Sequence, residues 1–110
     1  MPSFPGGDAA LMSYINRHII YPKNAQDNNI QGKVIVQFVV NKDGTVGEVK
    51  VARGIDKELD AEAIRVIKSI SEPNIFGERA ILFSPGRNAV GDPVNVWYTL
   101  PITFKLPITN

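Results

Sequence analysis

The chain has no cysteine and a single histidine, His18, in 110 residues. The missing thiol excludes disulfides, cysteine nucleophiles and thiolate-ligated zinc or iron–sulfur centres. One imidazole excludes the usual multi-histidine metal sites. An excess of one charge is lacking too. Twelve Lys+Arg against 11 Asp+Glu leave a formal net charge of +1, which supplies no basic stripe to capture nucleic acid. No apolar run approaches the ~20 residues of a membrane span. Gln37 interrupts the richest segment, Val34–Val40. The start, Met1–Gly7, has neither the basic residues nor the apolar core of a signal peptide. Met1 before a Pro/Gly-rich lead-in reads as an expression start at a domain boundary. Nothing here implies a cofactor or a metal.

What is present is ordinary globular composition: 44% hydrophobic and 21% charged residues, which argues against disorder. The length suits one domain with one modest core. Residues 1–7 carry two Pro and two Gly and are expected as an extended arm. Residues 8–110 are expected as one domain. Asp8 stands as an N-cap before a helix. Leu11, Tyr14, Ile15 and His18 or Ile19 share a helical face. Tyr21-Pro22 ends that helix, because proline disfavours helical backbone in the residue before it. A short helix follows over Lys23–Asn28.

From Gly32 the period changes. Lys33–Val40 is a strand rich in β-branched residues, with Val34, Val36, Phe38 and Val40 toward the core. Asn41–Gly44 is a tight turn. Thr45–Arg53 is the return strand, and a bulge near Gly47 brings Val46 onto the face of Val49 and Val51. Asp56 caps a helix from Lys57 to about Ile70. Leu59, Ala63, Val66, Ile67 and Ile70 form its apolar stripe, and Glu62 falls among the polar residues. Residues 71–80 are a loop, Ile81–Phe83 a short apolar piece, and Arg87–Asp92 a polar turn. From Val94 to Leu106, apolar and polar residues alternate without a break, the mark of a strand. Pro101 lies within it, and proline is confined to edge strands or bulges. The predicted fold is α+β: a small three-stranded antiparallel sheet with two or three helices packed on one face. The edge strand is open to pairing with another chain.

Catalytic constellations are missing. His18, near a helix end, reads as a C-terminal cation rather than a base. Ser69, Ser71 and Ser84 lack the G-x-S-x-G setting. Asp56, Asp60 and Glu62 suit a solvated helix start. Lys33, Lys50 and Arg53 are interrupted by Glu48 and read as a solvated face. Trp97 points away from the core, either covering the back of the sheet or offering a contact surface. The residues alone describe a binding module that works through a sheet edge, not an enzyme. The competing reading is a small enzyme that uses His18 and the acidic helix start.

Several short motifs carry a resemblance. They are Tyr21-Pro22-x-x-Ala25, Ile30–Val40, Asp43-Gly44-x-Val46, Leu59-Asp60-x-Glu62-Ala63, Ser84-Pro85-Gly86 and Val94–Phe104. In this order and spacing they resemble the C-terminal domain of TonB. Phe4–Gly7 followed by Ala10-Leu11-x-x-Tyr14-Ile15 is similar to the variety common in Bacteroidetes. The chain departs from the pattern where Ser84-Pro85-Gly86 arrives late, behind Glu72–Ile81. The resemblance implies a periplasmic domain of a protein anchored in the inner membrane, with the anchor upstream of this fragment. It implies no chemistry and no cofactor. The implied partner is the Ton box, an extended N-terminal segment of outer-membrane transporters, gripped by β-augmentation. An inner-membrane proton-driven motor complex would power the full-length protein. The site residues implied are His18, Tyr21 and Pro22, with the strand Val94, Asn95, Val96, Trp97, Tyr98, Thr99 and Leu100. Tyr21 and Pro22 have an equal claim to a plain structural role. The same module fused to a membrane sensor peptidase is the alternative, and a homodimer through the edge strand is a further one.

Overall fold

A computed structural model describes residues 4–71 and 83–106. The lead-in does not stay apart from the domain. Phe4 is buried, and its ring packs 5.4 Å from Phe83 and 6.1 Å from Tyr14. The first helix, α1, spans Gly7–His18. Its N-cap is Gly6, with φ 88° and no side-chain cap, so Asp8 is not the cap expected of it. A Cβ on Gly6 would meet the Ala10 Cβ at 2.8 Å, so this left-handed entry needs glycine. Asp8 lies in the first turn, where its charge favours the helix dipole, and its Oδ1 accepts a 2.7 Å bond from the Tyr98 hydroxyl. The second helix, α2 (Lys23–Asp27), starts after Pro22 and leaves through Asn29, a left-handed residue at φ 55°.

The two central strands follow the sequence closely. β1 (Gly32–Val40) buries Val34, Val36, Phe38 and Val40 completely. It turns at Asn41–Gly44 into β2 (Val46–Arg53). Their antiparallel register slips twice, between Phe38 and Val40 and between Ile35 and Val36. The first slip puts an extra residue into β2 around Gly47, and Val46 joins Val49 and Val51 against the core. The third helix, α3 (Lys57–Ser69), starts at Asp56, whose side chain accepts from the Glu58 and Leu59 amides. Removing this cap with Asp56→Ala should cost about 1 kcal/mol, read as a fall in the denaturant midpoint at unchanged slope. Leu59, Ala63, Val66 and Ile67 are buried as the stripe predicts. Glu62 is buried with them at 9% exposure, contrary to its expected place on the polar face. Its partners are Arg65, one turn on in α3, and the amide of Ile20, 42 residues away.

The last segment is not one strand. Gly86–Arg87 (β3) pairs with Pro93–Val94 (β4) in a small hairpin. β5, Val96–Phe104, then runs antiparallel to β1 over its whole length. The break falls at Asn95, whose Oδ1 accepts from the Lys42 amide. Val94 and Asn95 therefore leave the alternating strand expected from Val94 to Leu106, because their groups are engaged by the hairpin and by the β1–β2 turn. The three-stranded sheet has the order β2-β1-β5, so β5 is an edge. α3 packs on β1 and β2, α1 packs on α3, and one core joins helices and sheet. The loop expected at 71–80 and Ile81-Leu82 fall outside the described residues, apart from Ser71, whose Oγ accepts from the Val46 amide.

Candidate functional site

β5 has two contrasting sides. Toward the core it sends Leu100, Ile102 and Phe104, with Tyr98 half-buried beside Phe38. Burial of Tyr98, together with its bond to Asp8, pushes the phenol pKa up to about 12. Away from the core lie Trp97, Thr99, Pro101 and Thr103, all exposed. Trp97 is 47% exposed, and the Lys50 Nζ sits 4.7 Å above its ring. That is a cation–π contact reaching across β1 from β2.

The backbone of β5 is set by its register. Pro101 stands opposite Ile35. Opposed pairs in an antiparallel ladder alternate between exchanging two hydrogen bonds and exchanging none. A proline paired with a central strand suits only the second kind, with its nitrogen on the far side from that strand. By the same parity, the N–H and C=O groups of Trp97, Thr99 and Thr103 face outward. Among the described residues, no strand pairs with this outer edge. The result is an open row of donors and acceptors, with one donor missing at Pro101.

The segment between α1 and α2 lies at the far end of the same edge. His18 ends α1. Its ring stacks on Tyr14 at 4.1 Å, and its Nδ1 donates to the Tyr14 carbonyl at 2.8 Å. This is a side-chain contact to a backbone carbonyl in the last turn of the helix. Tyr21 packs edge-on against Phe104 at 5.5 Å, and its hydroxyl donates to the Ile30 carbonyl. Burial pushes its pKa up. Pro22 precedes α2, and its carbonyl accepts from the Gln26 amide. Both residues thus have structural work. Tyr21 also lines a cleft of about 880 Å³ with Met12, Asn16, Ile19, Ile20 and residues Thr103–Leu106, which run from the end of β5 past it.

The structure therefore sorts the expected site residues into groups. Val96, Trp97, Tyr98, Thr99 and Leu100 lie together on the edge strand. Tyr21 reaches the end of that strand through Phe104. Val94 and Asn95 belong to the hairpin and the bend. His18 is exposed but turned back onto α1. Sequence reading missed Glu62 and Arg65. Arg65 donates from Nε and Nη2 to Glu62 at 2.6 and 2.7 Å, and from Nη2 to the His18 carbonyl at 2.8 Å. The Glu62 bond holds the guanidinium proton more firmly than usual, against the opposing effect of burial. The available signal was the position of Glu62 three residues after Leu59 and four before Val66, on the apolar stripe itself.

Among the described residues, no group of acidic or histidine side chains could hold a metal ion. No helix among them is long and apolar enough to cross a membrane.

Known proteins share this arrangement. The solution structure of a Helicobacter pylori TonB C-terminal domain superposes with a TM-score of 0.62 at 25% identity, covering 92% of this chain and 95% of that one. A longer version of the same domain gives 0.61 at 27% identity, over 88% and 78%. The Pseudomonas aeruginosa TonB domain shares the fold, with a TM-score of 0.51 at 23% identity over 83% and 81%. Protein TonB of Helicobacter pylori strain J99 is 42% identical over 50 residues, which is 44% of this chain but 18% of that protein. This chain therefore corresponds to a small part of the curated relative's length. The profile of the family described as "Gram-negative bacterial TonB protein C-terminal" matches residues 17–106. By that match, and by its fold, the chain belongs to the TonB C-terminal family.

Proposed function

We propose that this domain captures the Ton box of outer-membrane transporters as an added strand on the outer edge of β5. The observation that carries this is the outward row of backbone groups at Trp97, Thr99 and Thr103, unpaired among the described residues. Backbone pairing gives affinity with little demand on the partner's side chains, and pockets along the strand supply selectivity. One domain can thus serve several receptors. Strand pairing loaded in shear divides a pull among several bonds. That suits a periplasmic domain of an inner-membrane-anchored protein driven by a proton-powered motor complex. Pro101 removes one donor and directs docking to Val96–Leu100. The Bacteroidetes-like variety of the domain rests on the lead-in Phe4–Gly7 together with Ala10-Leu11-x-x-Tyr14-Ile15. The open edge also favours a second reading, a homodimer through β5, for which sedimentation would show mass rising with concentration.

Amide shifts measured by NMR with a synthetic Ton-box peptide test the main reading. Trp97 and Thr99 should shift most, with Ile19–Tyr21 following. Shifts confined to residues 45–70 would overturn it.

A further inference from the structure

The stretch Ile19–Pro22 joins α1 to α2 without regular hydrogen bonding of its own. Backbone groups in such a stretch need partners from elsewhere. The Ile19 amide returns to the Ile15 carbonyl at 2.8 Å. The Ile20 amide donates to the Glu62 Oε2 at 2.6 Å. The His18 carbonyl accepts from Arg65 at 2.8 Å. Two α3 side chains thus hold the backbone on either side of Ile19, at the His18 carbonyl and the Ile20 amide. They also hold each other through the Nε and Nη2 fork of Arg65.

Packing alone does not require an acid here. Glu62 sits between Leu59 and Val66 on a stripe whose other buried members are apolar. A buried carboxylate costs stability unless its oxygens are paired. Both are paired here, one of them to the segment's backbone. The effect falls on Ile20, whose side chain is 66% exposed while its backbone is pinned. An apolar side chain on a fixed backbone is a preorganised contact that loses little entropy on binding. Ile19, Ile20 and Tyr21 form one wall of the cleft that continues the β5 edge at Thr103–Leu106.

We propose that Glu62, through Ile20, and Arg65, through His18, are positioning residues that hold the His18–Pro22 segment as a rigid wall for the part of a partner strand that runs past Pro101. This rests on the reading of β5 as the docking edge. In Glu62→Ala, the Ile20 amide should exchange with solvent at least about tenfold faster while β1 amides stay protected, and Glu62→Gln, which keeps an acceptor, should restore most of that protection. Exchange is read without any peptide, so it tests the clamp whatever β5 binds. Two synthetic Ton-box peptides complete the test, a short one limited to Val96–Leu100 and a longer one reaching Leu106. Glu62→Ala should weaken the longer peptide about tenfold and leave the short one unchanged. Unchanged Ile20 exchange, or an equal loss or no loss for both peptides, overturns the proposal. Failure of the wild-type domain to shift Trp97 and Thr99 with either peptide overturns the β5 reading instead.

Discussion

Thr99→Pro should lower the affinity for a Ton-box peptide by about ten- to a hundredfold while leaving the fold intact. Thr99 stands opposite Gln37, two residues before Pro101 and with the same parity. Its N–H therefore faces the open edge and is spent on no bond to β1. Proline at this position removes one outward donor and thrusts its ring toward the incoming strand. A partner carbonyl facing that point loses its bond, at about 1–3 kcal/mol, and every 1.4 kcal/mol is tenfold in Kd. The neighbouring substitution is the control. Leu100 stands opposite Val36 with the other parity, so Leu100→Pro removes a bond that holds β5 to β1 and should unfold the domain. Peptide titration and thermal unfolding of both variants check this. Equal destabilisation by the two prolines would mean that the parity assigned to β5 is wrong.

Phe4→Ala should destabilise the domain by about 3 kcal/mol, an effect that a free arm would not show. The Phe4 ring is 6% exposed and meets Phe83 and Tyr14. Phe83 in turn lies 5.7 Å from Phe38 and 6.3 Å from Tyr98. Truncating Phe4 therefore opens a gap at the end of an aromatic cluster that reaches Tyr98 on β5. Small domains hold about 5–15 kcal/mol in total, so the loss is a large share. A shifted urea midpoint at unchanged slope would carry the result; a shift under 0.5 kcal/mol would return Phe4 to the status of an arm. Phe4, Leu11 and Tyr14 precede the 17–106 stretch matched by the family profile. Packing of Phe4 on Phe83 and Tyr14 joins the lead-in to that stretch.

The legible parts of the protein were those set by neighbours in sequence. Val34–Val40 reads as a strand because β-branched residues alternate there, and Asp56 reads as a cap because its acceptors' donors lie two and three residues away. The bulge at Gly47 follows from a mismatch of period within one strand. The hidden parts depend on residues far apart. Asp8 has the chemistry of an N-cap, yet the Gly6–Gly7 entry starts the helix before it and the Tyr98 hydroxyl, 90 residues on, takes its side chain. Asn95 breaks an unbroken alternation because the Lys42 amide is there to donate to its Oδ1.

His18 and the flat charge balance lead to the same division. The absence of cysteine and the single histidine follow from composition, and with them the expectation that backbone would do the binding. The alternation around Pro101 places an edge strand, because proline's missing donor is a property of the residue itself. Composition and period could not decide which half of that edge lies open, or what holds its far wall. Pairing of β5 with β1 decided the first, and the packing of α3, which brings Glu62 to the backbone of Ile20 and Arg65 to that of His18, decided the second. A hydrogen bond across 42 residues leaves no periodic trace in sequence; it exists only where the tertiary fold brings its two ends within about 3 Å.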